Sequence, residues 1–276
     1  MRSRSFLEYR NFLYLKLSLL LMIAAIGAYI LHSPAIGAYG GTWLGYVLGT
    51  LSAAIVCLLL WLGVRKRSYF GAGTMQGWLS AHVYLGLSLI VLATLHSSFQ
   101  FGWNVHTLAY VLMMMVILSG FYGLYAYFRF PHLLTENLSE DSFESLMQEI
   151  SKLDKLARVS ALHLPDEIIA LTNNAIYNTR IGGTLREQMR SQHPDCPTTL
   201  AVKKLHGLSK TLPMAQIKTH RELYTLMLRR ETLVARARRD IMLRARLSGW
   251  LFVHVPLSIA LLAALTAHVT AIFFYW

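Results

Sequence analysis

Charge is missing from three long stretches of this chain. None of its 26 basic and 14 acidic side chains lies within 17–64, 68–128 or 247–276, runs of 48, 61 and 30 residues. Only 14% of the residues are charged, against about 25% in a soluble domain. A helix that crosses a bilayer needs roughly 20 apolar residues, so the three runs have room for about two, two and one spans. Cysteine is almost as scarce. Cys57 falls in an uncharged run and Cys196 in a charged segment, and two cysteines that far apart in character do not build a disulfide scaffold. Two thiols cannot hold an iron–sulfur cluster alone, and no Cys-x-x-Cys-His attaches a c-type haem. No carboxylate occurs in the uncharged runs, which argues against a metal-transport lane. Disorder and collagen are excluded by the 55% of hydrophobic residues.

What is present reads as an all-α integral membrane bundle of five transmembrane helices. The spans are expected at about 12–31, 43–64, 78–97, 105–128 and 249–275. A barrel would need shorter strands of alternating polarity. The organisation expected is 1–128 for the first four spans, 129–248 for a basic helical insert and 249–276 for the fifth. The basic clusters set the orientation. Arg2, Arg4, Arg10 and Lys16 precede the first span, Arg65, Lys66 and Arg67 follow the second, and the other 19 basic residues lie between the fourth and fifth. Five spans place all three clusters, and every acidic residue, on the cytoplasmic side. The N-terminus is then cytoplasmic and the C-terminus outside, in what is expected to be a bacterial inner (plasma) membrane. The six tryptophans, Trp43, Trp61, Trp78, Trp103, Trp250 and Trp276, all fall at span ends, where amphipathic rings prefer the headgroup zone. The first span also has the basic start, apolar stretch and small residues (Ala35, Gly37) of a signal peptide. Its cleavage would leave the remaining topology unchanged.

The insert is expected to be helical. Asp141 and Glu144 suggest a capping-box variant before Phe143, Leu146, Met147, Ile150 and Leu153 at 3–4 spacing. Pro165 opens a second helical stretch that Gly182-Gly183 breaks. Pro194, Pro197 and Pro213 punctuate a looser segment. From 214 to 246 the pattern is helical and rich in arginine, which fits anchoring against anionic membrane lipid or docking of an acidic partner; nothing points to nucleic acid. Gly71-Ala72-Gly73 lacks the spacing and preceding strand of a phosphate loop and reads as a turn.

Histidine carries the chemistry. Of eleven, four lie within expected spans: His82 and His96 in the third, His254 and His268 in the fifth. Each pair is 14 residues apart, which returns within about 40° on a helix and rises about 21 Å. The third and fifth spans both run outward, so His82 is level with His254 on the cytoplasmic side and His96 with His268 on the outer side. Two facing imidazole pairs suit two haems, each with two axial histidines. An ionisable group inside a span is costly and marks function; the plainer alternative is helix packing through hydrogen-bonded histidines. Around them, Gly86 would let a flat ring near the backbone, Gly120 and Gly123 favour close packing, and Pro256 is expected to kink the fifth span. Met113-Met114-Met115 reads as packing. His106 and His32 read as interfacial residues, and His132, His163, His193, His206 and His220 as solvated.

At these residues, His82-x13-His96 and His254-x13-His268, the chain resembles the membrane b-type cytochromes of the ferric-reductase and NADPH-oxidase type. The resemblance covers the five spans and not the insert. It implies two b haems, held by His82 with His254 and by His96 with His268. They would relay electrons from a cytoplasmic redox donor subunit or quinol to an acceptor outside. The flavin and nicotinamide domain that usually follows the fifth helix in that family has no counterpart before Trp276. The expected role is therefore an electron-transfer subunit of an oxidoreductase. A quinone-reactive anchor subunit of a respiratory complex, and a haem-free scaffold or transporter, are the rival readings.

Overall fold

The computed structural model describes residues 5–34, 37, 39–65, 73–138, 142–190, 195–209 and 212–274. Arg2, Arg4, Ala35, Lys66, Arg67, Gly71, Ala72, Asp141, His193, Pro194 and Trp276, singled out above, lie outside the described residues. The rest is all-α. A 3-10 turn at Phe6–Glu8 leads to α1 (Leu13–Leu31), α2 (Trp43–Arg65), α3 (Met75–His96), α4 (Val105–Leu138), α5 (Phe143–Ala161), α6 (Asp166–Asn178), α7 (Leu185–Gln188), α8 (Pro197–Leu208), α9 (Met214–Gly249) and α10 (Leu251–Phe274). Five helices are long and apolar enough to cross a membrane. Large apolar side chains such as Leu20 and Ile23, 66% and 67% exposed, stand on the outside of α1. In water that surface would be a liability; against lipid it is the expected finish of a span. The chain is an integral membrane protein.

By contacts the chain divides into two compact units, Met1–Tyr122 with Leu251–Trp276, and Gly123–Trp250. In the first, α3 packs against both α1 and α2. Its core combines Leu44, Leu48 and Val56 of α2 with Leu89, Leu92 and Leu95 of α3, Met113 of α4 and Leu261 of α10. The start of the chain is fastened to α3. Tyr84 donates its hydroxyl to the Leu7 carbonyl at 3.3 Å, and Tyr9 lies so close to Gly77 that a Cβ there would sit 2.9 Å from its ring. Arg10, Asn11 and Phe12 then take left-handed backbone angles, φ 45°, 58° and 60°, turning the chain into α1.

The Gly123–Trp250 unit is the helical segment between the fourth and fifth spans. Its cores join α5, α6, α8 and α9 through Ala157, Ile168, Ala175, Leu205, Leu223 and Met227, and α5 with α9 through Leu146, Ile150, Leu153, Leu233, Val234 and Ala237. Gly123 leaves room for the Trp250 indole, which a Cβ would meet at 2.9 Å.

Several expectations for this segment are corrected. α4 does not stop near 128 but continues to Leu138 with Pro131 inside it, because a helix has no reason to end where its membrane-compatible stretch does. The capping box of α5 is Ser142 with Ser145, two short hydroxyl residues in place of the Asp141–Glu144 variant. The supposedly loose stretch after 194 contains α8, with Pro197 at its first turn, where its missing N–H is no loss. His220 is not solvated: it is buried on the inner face of α9 with Leu223 and Met227. Several arginines of α9 are engaged within the unit, although only Arg230 is buried. Arg229 pairs with Glu149, Arg230 with Asp154, and Arg244 with Asp240. Arg236 donates to the Asn137 and Leu138 carbonyls, and Arg238 to that of Arg180.

Candidate histidine site

The four span histidines fall on α3 and α10 as two layers. His82 stands in the second turn of α3 and His254 in the first turn of α10; His96 closes α3, and His268 lies 14 residues beyond His254. Helices α3 and α10 are not in close backbone contact along their length. Their histidine rings meet across the interval, with ring centroids 6.4 Å apart for His82 and His254 and 6.2 Å for His96 and His268. All four are half-buried.

Hydrogen bonds set the tautomers. His96 Nδ1 lies 2.7 Å from the Gly45 carbonyl. A carbonyl only accepts, so Nδ1 carries the proton and Nε2 the lone pair. His254 Nδ1 lies 2.8 Å from Ser119 Oγ, whose hydroxyl donates to the Val116 carbonyl at 2.7 Å. With the serine proton already committed, His254 must be the donor, which again puts the lone pair on Nε2. His82 Nδ1 is a buried nitrogen with no hydrogen-bond partner among the described residues. A ring proton held by a carbonyl or hydroxyl, with the other nitrogen left as a base, is the usual support behind a metal-binding imidazole.

The α2 helix shapes the His96 layer. A Cβ at Gly49 would stand 2.6 Å from His96 Cε1 and 2.8 Å from its Nδ1. Gly45 supplies the carbonyl to the ring and lies against the Gly40 backbone, which a Cβ would approach to 2.4 Å. Gly45-x3-Gly49 is the small-residue spacing that lets helices approach closely. It is the sequence signal for this contact. Gly120 and Gly86 are in ordinary contact distance of His254 and Leu59 respectively, so neither is required by its neighbours. Pro256 lies within α10, which continues unbroken through it.

His106, read from the sequence as interfacial, joins the second layer. Its ring centroid is 5.3 Å from that of His96 and 4.9 Å from that of His268. His106 Nδ1 faces His268 Nε2 at 3.5 Å. One ligand atom from each of the three rings lies within 4.8 Å of the others. The turn after α3 brings this about. Ser98 and Phe99 take left-handed angles, φ 49° and 61°, and return the chain so that the first turn of α4 abuts the last turn of α3. An apolar cavity of about 310 Å³ adjoins all three rings, walled by Gly49, Ala53, Ala109, Tyr110 and Leu265 among others.

The geometry bears on which groups fit. A metal–imidazole bond of about 2.0–2.1 Å plus about 1.1 Å from nitrogen to ring centre puts trans-ligating centroids about 6.3 Å apart. The His82–His254 layer has that separation, and an unpartnered nitrogen besides, and so fits an axial imidazole pair. The His96–His268 separation fits equally, but His106 is nearly equidistant from both. Its centroid therefore stands about 4 Å from their midpoint, in the plane a porphyrin would fill around iron. As placed, the third ring and a porphyrin exclude each other. His106 is the second residue of α4, where a rotamer change turns a ring aside without moving the helix.

No protein family model, curated protein or solved structure matches the chain.

Proposed function

We propose that this membrane protein is a dihaem b-type cytochrome that conducts electrons across the bilayer. It would act between a cytoplasmic-side redox donor subunit or quinol and an acceptor on the outer side, as an electron-transfer subunit of a larger oxidoreductase. The observation that carries the reading is the pair of facing histidine layers on the same two helices, with ring centroids 6.4 and 6.2 Å apart. The resemblance to ferric-reductase and NADPH-oxidase membrane domains supports it through the same four residues. His82 and His254 would hold one haem. His96 and His268 would hold the other, with the His106 ring turned aside from them.

Bound haem supplies one-electron chemistry at a potential tuned by its axial ligands and surroundings. The chain's own contribution is to orient and insulate. Ser119 fixes the His254 ring and the Gly45 carbonyl fixes His96, while the apolar core of α2, α3, α4 and α10 excludes water. The 14-residue spacing sets the layers about 21 Å apart along each helix.

The test is haem quantitation and a reduced-minus-oxidised spectrum on the full-length protein in detergent. About two b haems per chain are expected from the two ligand pairs. His82→Ala or His254→Ala should each remove one haem, and His96→Ala or His268→Ala the other. A purified protein without a Soret band overturns the reading. Unchanged haem content in the His96 and His268 variants overturns the second site alone.

A further inference from the structure

The three-histidine cluster at the end of α3 has a geometry of its own, independent of haem. The centroids of His96, His106 and His268 are 5.3, 4.9 and 6.2 Å apart, and three points at those separations lie on a circle of radius about 3.2 Å. That radius matches the distance from a bound ion to the centre of a coordinating imidazole, about 3.2 Å by the bond lengths above. A second measure agrees. An ion at that distance from all three centres lies in their plane, with about 111°, 100° and 150° between its ligands; at about 100° two coordinating nitrogens stand about 3.1 Å apart, and His106 Nδ1 lies 3.5 Å from His268 Nε2. The His96 proton is held by Gly45, so its Nε2 lone pair is the one available to an ion.

We propose that His96, His106 and His268 form a site for a single transition-metal ion, occupied in place of the second haem. The donor set defines the class of ion. Three neutral imidazoles with no carboxylate or thiolate suit Zn²⁺, Co²⁺, Ni²⁺ or copper, not the oxygen-seeking Mg²⁺ or Ca²⁺. Three protein ligands leave a fourth position open, as in catalytic rather than structural sites, and the adjoining cavity of about 310 Å³ is large enough for a small exogenous ligand. The same ring that completes the ion site blocks the porphyrin plane. His106 thereby makes the layer a site of two exclusive occupants: an ion with the ring in, a haem with the ring out.

Co²⁺ is the probe, because its visible bands report coordination number. Full-length protein produced under haem-limited growth is titrated with Co²⁺, and Zn²⁺ then displaces it. One Co²⁺ per chain with four-coordinate bands is expected. His106→Gln and His106→Ala should each weaken binding about tenfold or more, while His206→Ala, at an exposed histidine of α8, leaves it unchanged. Circular dichroism and gel filtration confirm that the variants are folded, and two substitutions at His106 guard against a folding artefact of either. Added haemin should release the ion in the wild type one for one. Absence of a stoichiometric Co²⁺ signal, wild-type affinity in the His106 variants, loss of binding in His206→Ala, or haemin uptake into the His96 layer with the ion retained would each overturn the proposal. A chain that binds Co²⁺ as expected and never takes haem would overturn the cytochrome reading and the exclusive occupancy, and leave the three-histidine ion site itself standing.

Discussion

Gly49 is where the absence of a side chain does most for the site. The His96 ring is held from one side by the Gly45 carbonyl at 2.7 Å and fits against bare backbone at Gly49, where a Cβ would approach to 2.6 Å. A methyl group there displaces the ring, and the ring cannot yield without losing its carbonyl. Gly49→Ala should therefore abolish occupancy of the His96 layer while the His82 layer keeps its haem. The readout is a halved haem content and a Co²⁺ affinity about tenfold lower; a variant with two haems and unchanged Co²⁺ binding would sink the argument. Arg230 presents the opposite case, a charge taken into a core. It is 2% exposed, donates Nε to Asp154 at 2.5 Å, and reaches the Thr198 hydroxyl and the Ile176 carbonyl. It joins α5, α6, α8 and α9 at one point. Removing one partner of a buried pair costs about 3–5 kcal/mol, whereas replacing both with apolar groups is often neutral. Arg230→Met should unfold markedly earlier on heating than wild type, and Arg230→Met with Asp154→Leu should recover most of the loss. From the sequence Arg230 was one arginine among many in a basic helix, because burial of a single charge depends on which neighbour faces it.

At the scale of elements, the sequence was most informative where one physical pressure acts alone. The spans follow from charge exclusion, and α1, α2 and α10 begin and end within about two residues of the spans expected at 12–31, 43–64 and 249–275. The paired layers follow from helical periodicity, since 14 residues is close to four turns. Legibility failed where a second pressure took over. α4 outruns its apolar stretch because helical hydrogen bonding continues beyond it, and α8 hid behind Pro197 because proline is tolerated in a first turn. His106 escaped because its place depends on a left-handed turn at Ser98 and Phe99, residues with no strong preference for that conformation. α9, expected from its arginines to anchor against lipid or dock an acidic partner, also acts as a clasp. Its inward positions His220, Leu223, Met227, Arg230, Val234 and Ala237 recur every three or four residues, the spacing of a helix packed along a seam. Its flanking arginines meet the ends of other helices. Arg236 donates to the Asn137 and Leu138 carbonyls at 3.0 and 3.1 Å, the last acceptors of α4, and Asn137 returns a bond to the Arg236 carbonyl at 2.9 Å. A charge-assisted bond of this kind contributes about 1.5–3 kcal/mol. Arg236→Ala should fray the end of α4, seen as faster amide exchange over 134–138 with α5 unaffected. Unchanged exchange there would mean that α4 holds its end without the clasp.

For the molecule as a whole, the distribution of charge makes a statement about sides that the histidine layers depend on. The five-span reading expects every one of the 26 basic and 14 acidic side chains on one face of the membrane, and only uncharged segments on the other. A charged side chain placed at the centre of a span costs about 2.5–3.5 kcal/mol by insertion scales, so the uncharged runs are retained within the bilayer while the basic clusters hold their side. The proposed electron path would join the two sides: the His82 layer is expected toward the charged face and the His96 layer toward the uncharged one. Trp103, fully exposed in the turn between α3 and α4, and Val159, exposed on α5, are expected on opposite faces of the membrane. In a background with Cys57 and Cys196 replaced by serine, Trp103→Cys should react with a membrane-impermeant maleimide in right-side-out vesicles and Val159→Cys only in inverted ones. Labelling of both from the same side would break the five-span topology. With it would go the assignment of one histidine layer to each face, while the ring-to-ring geometry within each layer would stand.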